Sequence, residues 1–345
     1  MAYAKNRNEC PMSSLGITDP ACITPANTSP GDTEGSPVEG LLTMVIDHLK
    51  AETGHRILHI GPDHHLALLA AHVGPTGSVT ATTSGKAAID RGDYDRIVFT
   101  TEQWDLSPAW GQSLTRGGRL VVPLRLRGAT YVIVFKRDGG FLRSTASRFY
   151  AATPLDVVDQ HGRRRRYGDR CDVLNLCGER PVLMWESDQR IKPEQLRRSL
   201  QLDLRDQRWT GVTVHHGDDL GTLWLQLAAR ELGTCGLAGG TGTSIAPMAI
   251  PEGTPAIAED SNLAYLTRRE QPSEDPSSTK RFELGVTAFG PYADTLGERF
   301  AIHIAKWSKA SRRPPYITAY PQRITKSKPR TPAIDRRNVR IVITC

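Results

Sequence analysis

Apolar positions along this chain change their spacing from block to block, and the changes predict alternating helices and strands. Val38, Leu41, Leu42, Val45 and Leu49 share one helical face behind Ser36-Pro37, a cap and first-turn pair, and Gly54 stops the helix. Residues 56–60 form a short apolar block ending at Gly61, which reads as a buried strand. A helix over 66–73, a turn over 74–77 and a second strand over 78–82 follow. Residues 95–100 predict a third strand, and Ser107-Pro108 opens a helix over 106–114. After Gly117-Gly118, residues 119–123 and 130–136 read as a hairpin-like strand pair. Strands alternating with helices imply a mostly parallel, doubly wound α/β sheet.

The pattern then loosens. Residues 1–37, rich in Pro, Ser, Thr and Asn without apolar periodicity, read as a disordered leader ahead of a first domain over 38–160. The stretch 160–180, with Arg163 to Arg166, reads as a connector. A second region, 161–310, mixes a short helix after Lys192-Pro193-Glu194 and a strand over 211–215. A helix over 218–232 and strands over 261–266 and 281–286 follow. Last comes a helix from Ala293 with Leu296, Phe300, Ile304 and Trp307 on one face, so the region predicts an α+β unit. Residues 311–345 form a basic C-terminal segment ending in a strand signal over 339–344.

Charge sharpens this division. The net charge is +7, yet residues 306–345 carry eleven Lys and Arg against one acid, Asp335, so the rest of the chain is close to neutral. The surplus argues for a local contact with an acidic peptide or a structural role, and not for a nucleic-acid-binding body. The six cysteines are scattered without C-x-x-C spacing, and no apolar h-region opens the chain. Cytoplasmic residence with reduced thiols is therefore expected. No apolar run approaches the roughly 18 residues that a membrane-spanning helix needs. His55, His59, Asp63, His64, His65 and His72 fall close together, but without metal-ligand spacing they read as turn and surface residues. Gly240-Thr241-Gly242-Thr243-Ser244 lacks the lysine of a phosphate loop and reads as surface.

Several longer stretches carry a resemblance. Residues 67–79, Tyr94-Asp95-Arg96-Ile97-Val98, 104–110 and 117–124 belong to it. So do Trp209-Thr210-Gly211-Val212, Leu223-Trp224-Leu225, Leu263-Ala264-Tyr265-Leu266 and Glu283-Leu284-Gly285-Val286. Together they resemble the protein-L-isoaspartate O-methyltransferases, in the actinobacterial FxLD-system branch associated with peptide natural products. The resemblance implies a Rossmann-like S-adenosylmethionine-dependent methyltransferase sheet followed by an α+β region. It also implies methyl transfer to a peptide or protein carboxylate.

The chain departs from that family at the positions that hold the cofactor. His59 stands where the family has an acid, and only Gly61 survives of its glycine-rich turn, with Pro62, Asp63, His64 and His65 in place of small residues. The second strand ends without a ribose-binding acid, and 85–94 is too short for the strand-helix unit the family carries there, so the sheet is expected to be shortened. What remains for a cofactor is Gly61, Asp63, Thr100 and Thr101, with no residue assigned to catalysis and no metal. Two functions follow. One is a carboxyl O-methyltransferase with an altered pocket. The other is a non-catalytic relative that binds a peptide or an intact methyltransferase partner.

Overall fold

The computed structural model describes residues 37–82, 94–151, 157–158, 164–165, 171–175, 182–186, 188–189, 191–201, 205–238, 253–272, 279–310, 315–322 and 333–345. The first part runs α1 (Pro37–Leu49), β1 (Arg56–Ile60), a 3-10 turn (Asp63–His65), α2 (Leu66–Val73), β2 (Ser78–Thr82) and β3 (Tyr94–Phe99). Then come α3 (Pro108–Ser113), β4 (Leu114–Leu126), β5 (Ala129–Asp138) and β6 (Phe141–Ala151). Two short strands, β7 (Val157–Val158) and β8 (Arg164–Arg165), pair with each other. The middle of the chain adds β9 (Cys171–Asn175), β10 (Val182–Glu186), α4 (Pro193–Gln201), β11 (Arg205–His215) and α5 (Gly221–Ala228). It continues with β12 (Thr234–Ala238), β13 (Thr254–Glu259), β14 (Asn262–Glu270), β15 (Arg281–Phe289) and α6 (Ala293–Lys309). β16 (Tyr316–Pro321), β17 (Ala333–Asp335) and β18 (Val339–Thr344) close it.

A nine-stranded sheet has the order β17-β18-β16-β6-β5-β4-β3-β1-β2. Its β2-β1-β3-β4 half is parallel and the rest antiparallel. Strand alternation sorts the side chains onto two faces. Ile57, Val98, Val121, Val132 and Val134 pack under α1 and α2, while Leu58, Ile60, Ile97, Phe99, Leu120 and Val122 pack with Trp110 of α3 on the other side. Helices on both faces of a parallel order that reverses between β1 and β3 make this half Rossmann-like. Among the described residues β2 is the edge; residues 83–93, where the shortening is expected, lie outside them. Ser107 caps α3 through its hydroxyl, as the sequence predicts.

Arg96 fastens α1 to this sheet. Its guanidinium donates to the carbonyls of Leu49, Lys50 and Asp95 at 2.9–3.1 Å, satisfying the orphan acceptors at the helix end.

The second sheet, β11-β15-β14-β13-β12-β10-β9, is antiparallel throughout. Its strand β9 begins inside the stretch expected to be a connector, and its edge strand β11 starts six residues before the expected 211. α6 covers one face with Leu296, Phe300, Ile304 and Trp307, the stripe the sequence shows. The basic terminal segment departs from its expected separateness, because β16 pairs with β6 and so extends the first sheet. Both sheets belong to one compact unit, Thr33–Cys345. No helix among the described residues is long and apolar enough to cross a membrane.

Candidate functional site

In an open sheet wound in both directions, a crevice for ligands opens at the carboxyl edge where the strand order reverses. Here that point lies between β1 and β3, whose ends lead into Gly61 and Thr100. His59 shares the α1/α2 face with Ile57 and is fully buried. Its Nε2 lies 3.0 Å from the Thr100 hydroxyl, so an imidazole and an alcohol bridge the two strands at the reversal itself. Burial pushes the His59 imidazole down to about 4, with His65 and His64 acting in the same direction and Asp63 against them. His59 is therefore neutral at pH 7.

The turn beyond β1 is equally filled. A Cβ at Gly61 would collide with the Thr100 hydroxyl and come within 3.1 Å of His59 Nε2, so the glycine makes room for the protein's own side chains. Pro62 has no N–H, and the His65 and Leu66 amides are spent within the 3-10 turn on the carbonyls of Pro62 and Asp63. His65 is buried edge-on to His59 at 6.1 Å, and burial and the neighbouring His64 lower its affinity for a proton. The reading of these histidines as turn and surface residues is thus corrected for His59 and His65, whereas Asp63 and His64 are exposed. The half-buried Thr101 accepts from Gln103 Nε2 through both its carbonyl and its hydroxyl.

Of the four residues expected to hold a cofactor, Gly61 and Thr100 meet at the reversal point. Asp63 lies on the exposed turn beside them, and Thr101 begins the segment that runs along β4. Among the described residues this arrangement lacks the groups expected to hold S-adenosylmethionine: β2 offers no acid over Ser78–Thr82, and the Thr100 hydroxyl and His59 Nε2 occupy the space beside Gly61. Gly240 to Ser244 and Ser36 lie outside the described residues.

Further along the same edge lies a cluster that the sequence reading missed. At the tip of the β4–β5 hairpin, Arg127 donates to Glu186 at 3.0 Å and to both carboxylate oxygens of Asp188 at 2.7 and 2.9 Å. Its backbone N–H also donates to Glu186. Arg336 reaches Glu186 at 2.9 Å and stacks over Trp104. Arg125 donates to the Thr130 hydroxyl and the Gly128 carbonyl, and Thr130 in turn donates to Glu102 at 2.5 Å. Guanidinium and carboxylate groups balance, as buried charges must. The surrounding carboxylates hold Arg127 above its ordinary value despite burial. The signal was present in the sequence: Arg125 and Arg127 interrupt an apolar run, and charges in a strand covered on both faces need partners.

No protein-family model and no curated protein matches the chain. Among solved structures, a protein-L-isoaspartate O-methyltransferase is similar at 13% identity over 89% of this chain and 80% of that one, with a TM-score of 0.32. The Rossmann-like assignment rests on the strand order and faces described above.

Proposed function

We propose that this chain is a methyltransferase-like binding protein that does not use S-adenosylmethionine. The observation that carries the reading is the His59–Thr100 bond, which joins β1 to β3 where a cofactor would lie. Gly61 supports it, since its missing side chain opens no space toward solvent. A neutral, buried imidazole has also replaced the acid of the resembling family. Carboxyl methyl transfer needs little acid-base help, because a carboxylate is already nucleophilic and positioning dominates. Losing the cofactor's seat therefore removes the main thing such a fold supplies. By the resemblance, the ligand retained is a peptide or protein carboxylate of peptide natural-product biosynthesis, or an intact methyltransferase that acts on it.

Calorimetric titration of the full chain with S-adenosylmethionine and S-adenosylhomocysteine tests this. No heat is expected up to millimolar ligand. Micromolar binding of either would overturn the proposal and restore the altered-pocket carboxyl O-methyltransferase.

A further inference from the structure

Among the described residues the two large sheets have four edge strands, β17 and β2 in the first and β11 and β9 in the second. An edge leaves amides and carbonyls unpaired, and proteins ordinarily guard it with charge, proline or a bulge. Three of the four are guarded. β17 ends on Asp335, β9 carries Asp172, and β11 carries Arg205, Asp206 and Arg208 with a register shift between Trp209 and Thr213. β2 reads Ser-Val-Thr-Ala-Thr, in unbroken register with β1 and without a charge.

The neutrality extends past the strand. From Leu66 to Thr82 there is no Lys, Arg, Asp or Glu, and the imidazole of His72 is held to the Leu68 carbonyl at 2.8 Å. α2 nevertheless faces solvent. Of its eight residues Leu69 and Val73 are buried, while Leu68 is 43% exposed and Ala67, Ala70 and Ala71 are exposed too. On the edge itself Ser78, Thr80 and Ala81 are likewise exposed.

The phase of the hydrogen bonds decides what can be added. The Ser78 amide donates to the His55 carbonyl and the Gly61 amide donates to the Thr82 carbonyl, so the even-numbered residues of β2 spend their backbone groups on β1. The amides and carbonyls of Val79 and Ala81 therefore point outward. Two such residues flanking Thr80 are self-complementary in the antiparallel sense. A second copy turned about an axis through Thr80 sets Val79 opposite the partner's Ala81 and Ala81 opposite the partner's Val79, each pair exchanging two hydrogen bonds. Thr80 then meets its own copy at the closely spaced position between them. Val79 and Ala81 share the α2 face with Ile57, so both α2 helices come to one side of the joined sheet. A charged partner finds no complement on this surface, whereas a second copy brings the same small, neutral residues.

We propose that the chain forms a two-fold dimer by antiparallel pairing of β2 with β2, which joins two nine-stranded sheets into one. The pairing is independent of what the first sheet binds and stands whatever the titration with S-adenosylmethionine gives.

Sedimentation velocity of the full chain from about 1 to about 300 µM tests it, the range in which a small neutral interface assembles. The average mass is expected to rise to a plateau at twice that of the chain. Ala81→Pro removes two of the four bonds across the axis and none to β1. It should weaken the dimer at least about tenfold and leave the thermal melting of the monomer unchanged. In a Cys345→Ser background, which removes the exposed native thiol, Thr80→Cys should cross-link to its own copy on mild oxidation. Ser78→Cys, which lies opposite the partner's Thr82, should not. Both cysteine positions are exposed, so this arm holds even if the proline variant fails to fold. A monomer throughout the range would overturn the proposal and leave the edge to a strand of another protein. Growth past the dimer without a plateau, wild-type affinity in Ala81→Pro, or equal cross-linking of the two cysteine variants would overturn it as well.

Discussion

His59 shows how one side chain can tie the stability of the fold to pH. Folded, its imidazole titrates near 4; unfolded, it returns to its ordinary 6.5. As pH falls through 6.5 the unfolded chain takes up the proton first, so stability is full above 6.5 and drains away down to about 4. The loss from this residue is roughly 3 kcal/mol. His65 and His48, whose affinities for a proton are lowered by burial, add to it with the same sign. Urea unfolding at a series of pH values should show this slope, and His59→Gln should flatten it. An unchanged slope in the variant would mean that His59 is not buried neutral. The sequence did carry a hint, since His59 alternates with Ile57 and so shares the face that α1 covers. Its status as a cluster of six neighbouring polar residues hid that periodicity.

At the scale of elements, the β4–β5 hairpin is what joins the two sheets. Its tip residue Gly128 lies against β12 so closely that a Cβ would strike the backbone of Cys235 and Gly236, and a Cβ on Gly236 would stand 2.7 Å from the Gly128 carbonyl. Trp224 of α5 donates to the Arg127 carbonyl beside it. α5 itself divides its residues, with Trp224, Leu225 and Ala228 in the core of the first sheet and Leu223 and Leu227 in that of the second. Gly128→Ala should therefore cost about 3 kcal/mol or more, combining left-handed strain at φ +89° with a clash that rigid backbone cannot relieve. Gly139→Ala is the control: its φ is +59° but nothing lies within 4 Å, so only about 1 kcal/mol is expected. Similar losses in urea midpoint for the two variants would refute the close packing. The pairs across this joint were not legible beforehand. Glu186 and Asp188 lie about sixty residues beyond Arg127, and no local periodicity announces a partner at that distance.

For the molecule as a whole, the alternation of Val339, Ile341 and Ile343 reveals a strand but not its sheet. That strand and its neighbours complete the core begun by β1 to β6, with Ile317, Ile341 and Ile343 fully or almost fully buried beside Phe135 and Leu142. The basic residues there serve the fold as well, since Arg336 enters the buried ion cluster and Arg340 pairs with Asp335. Removing residues 311–345 should leave the edge of β6 and an apolar face bare, so the shortened chain should aggregate and lose a cooperative thermal transition. A monomeric, cooperatively melting product on size-exclusion chromatography and calorimetry would contradict this. The arrangement also bears on synthesis. A ribosome delivers β6 long before the strand that seals it, and the second sheet is made in the interval. The nascent chain must therefore keep that open edge from foreign strands until β16 has been made, after the whole of the second sheet.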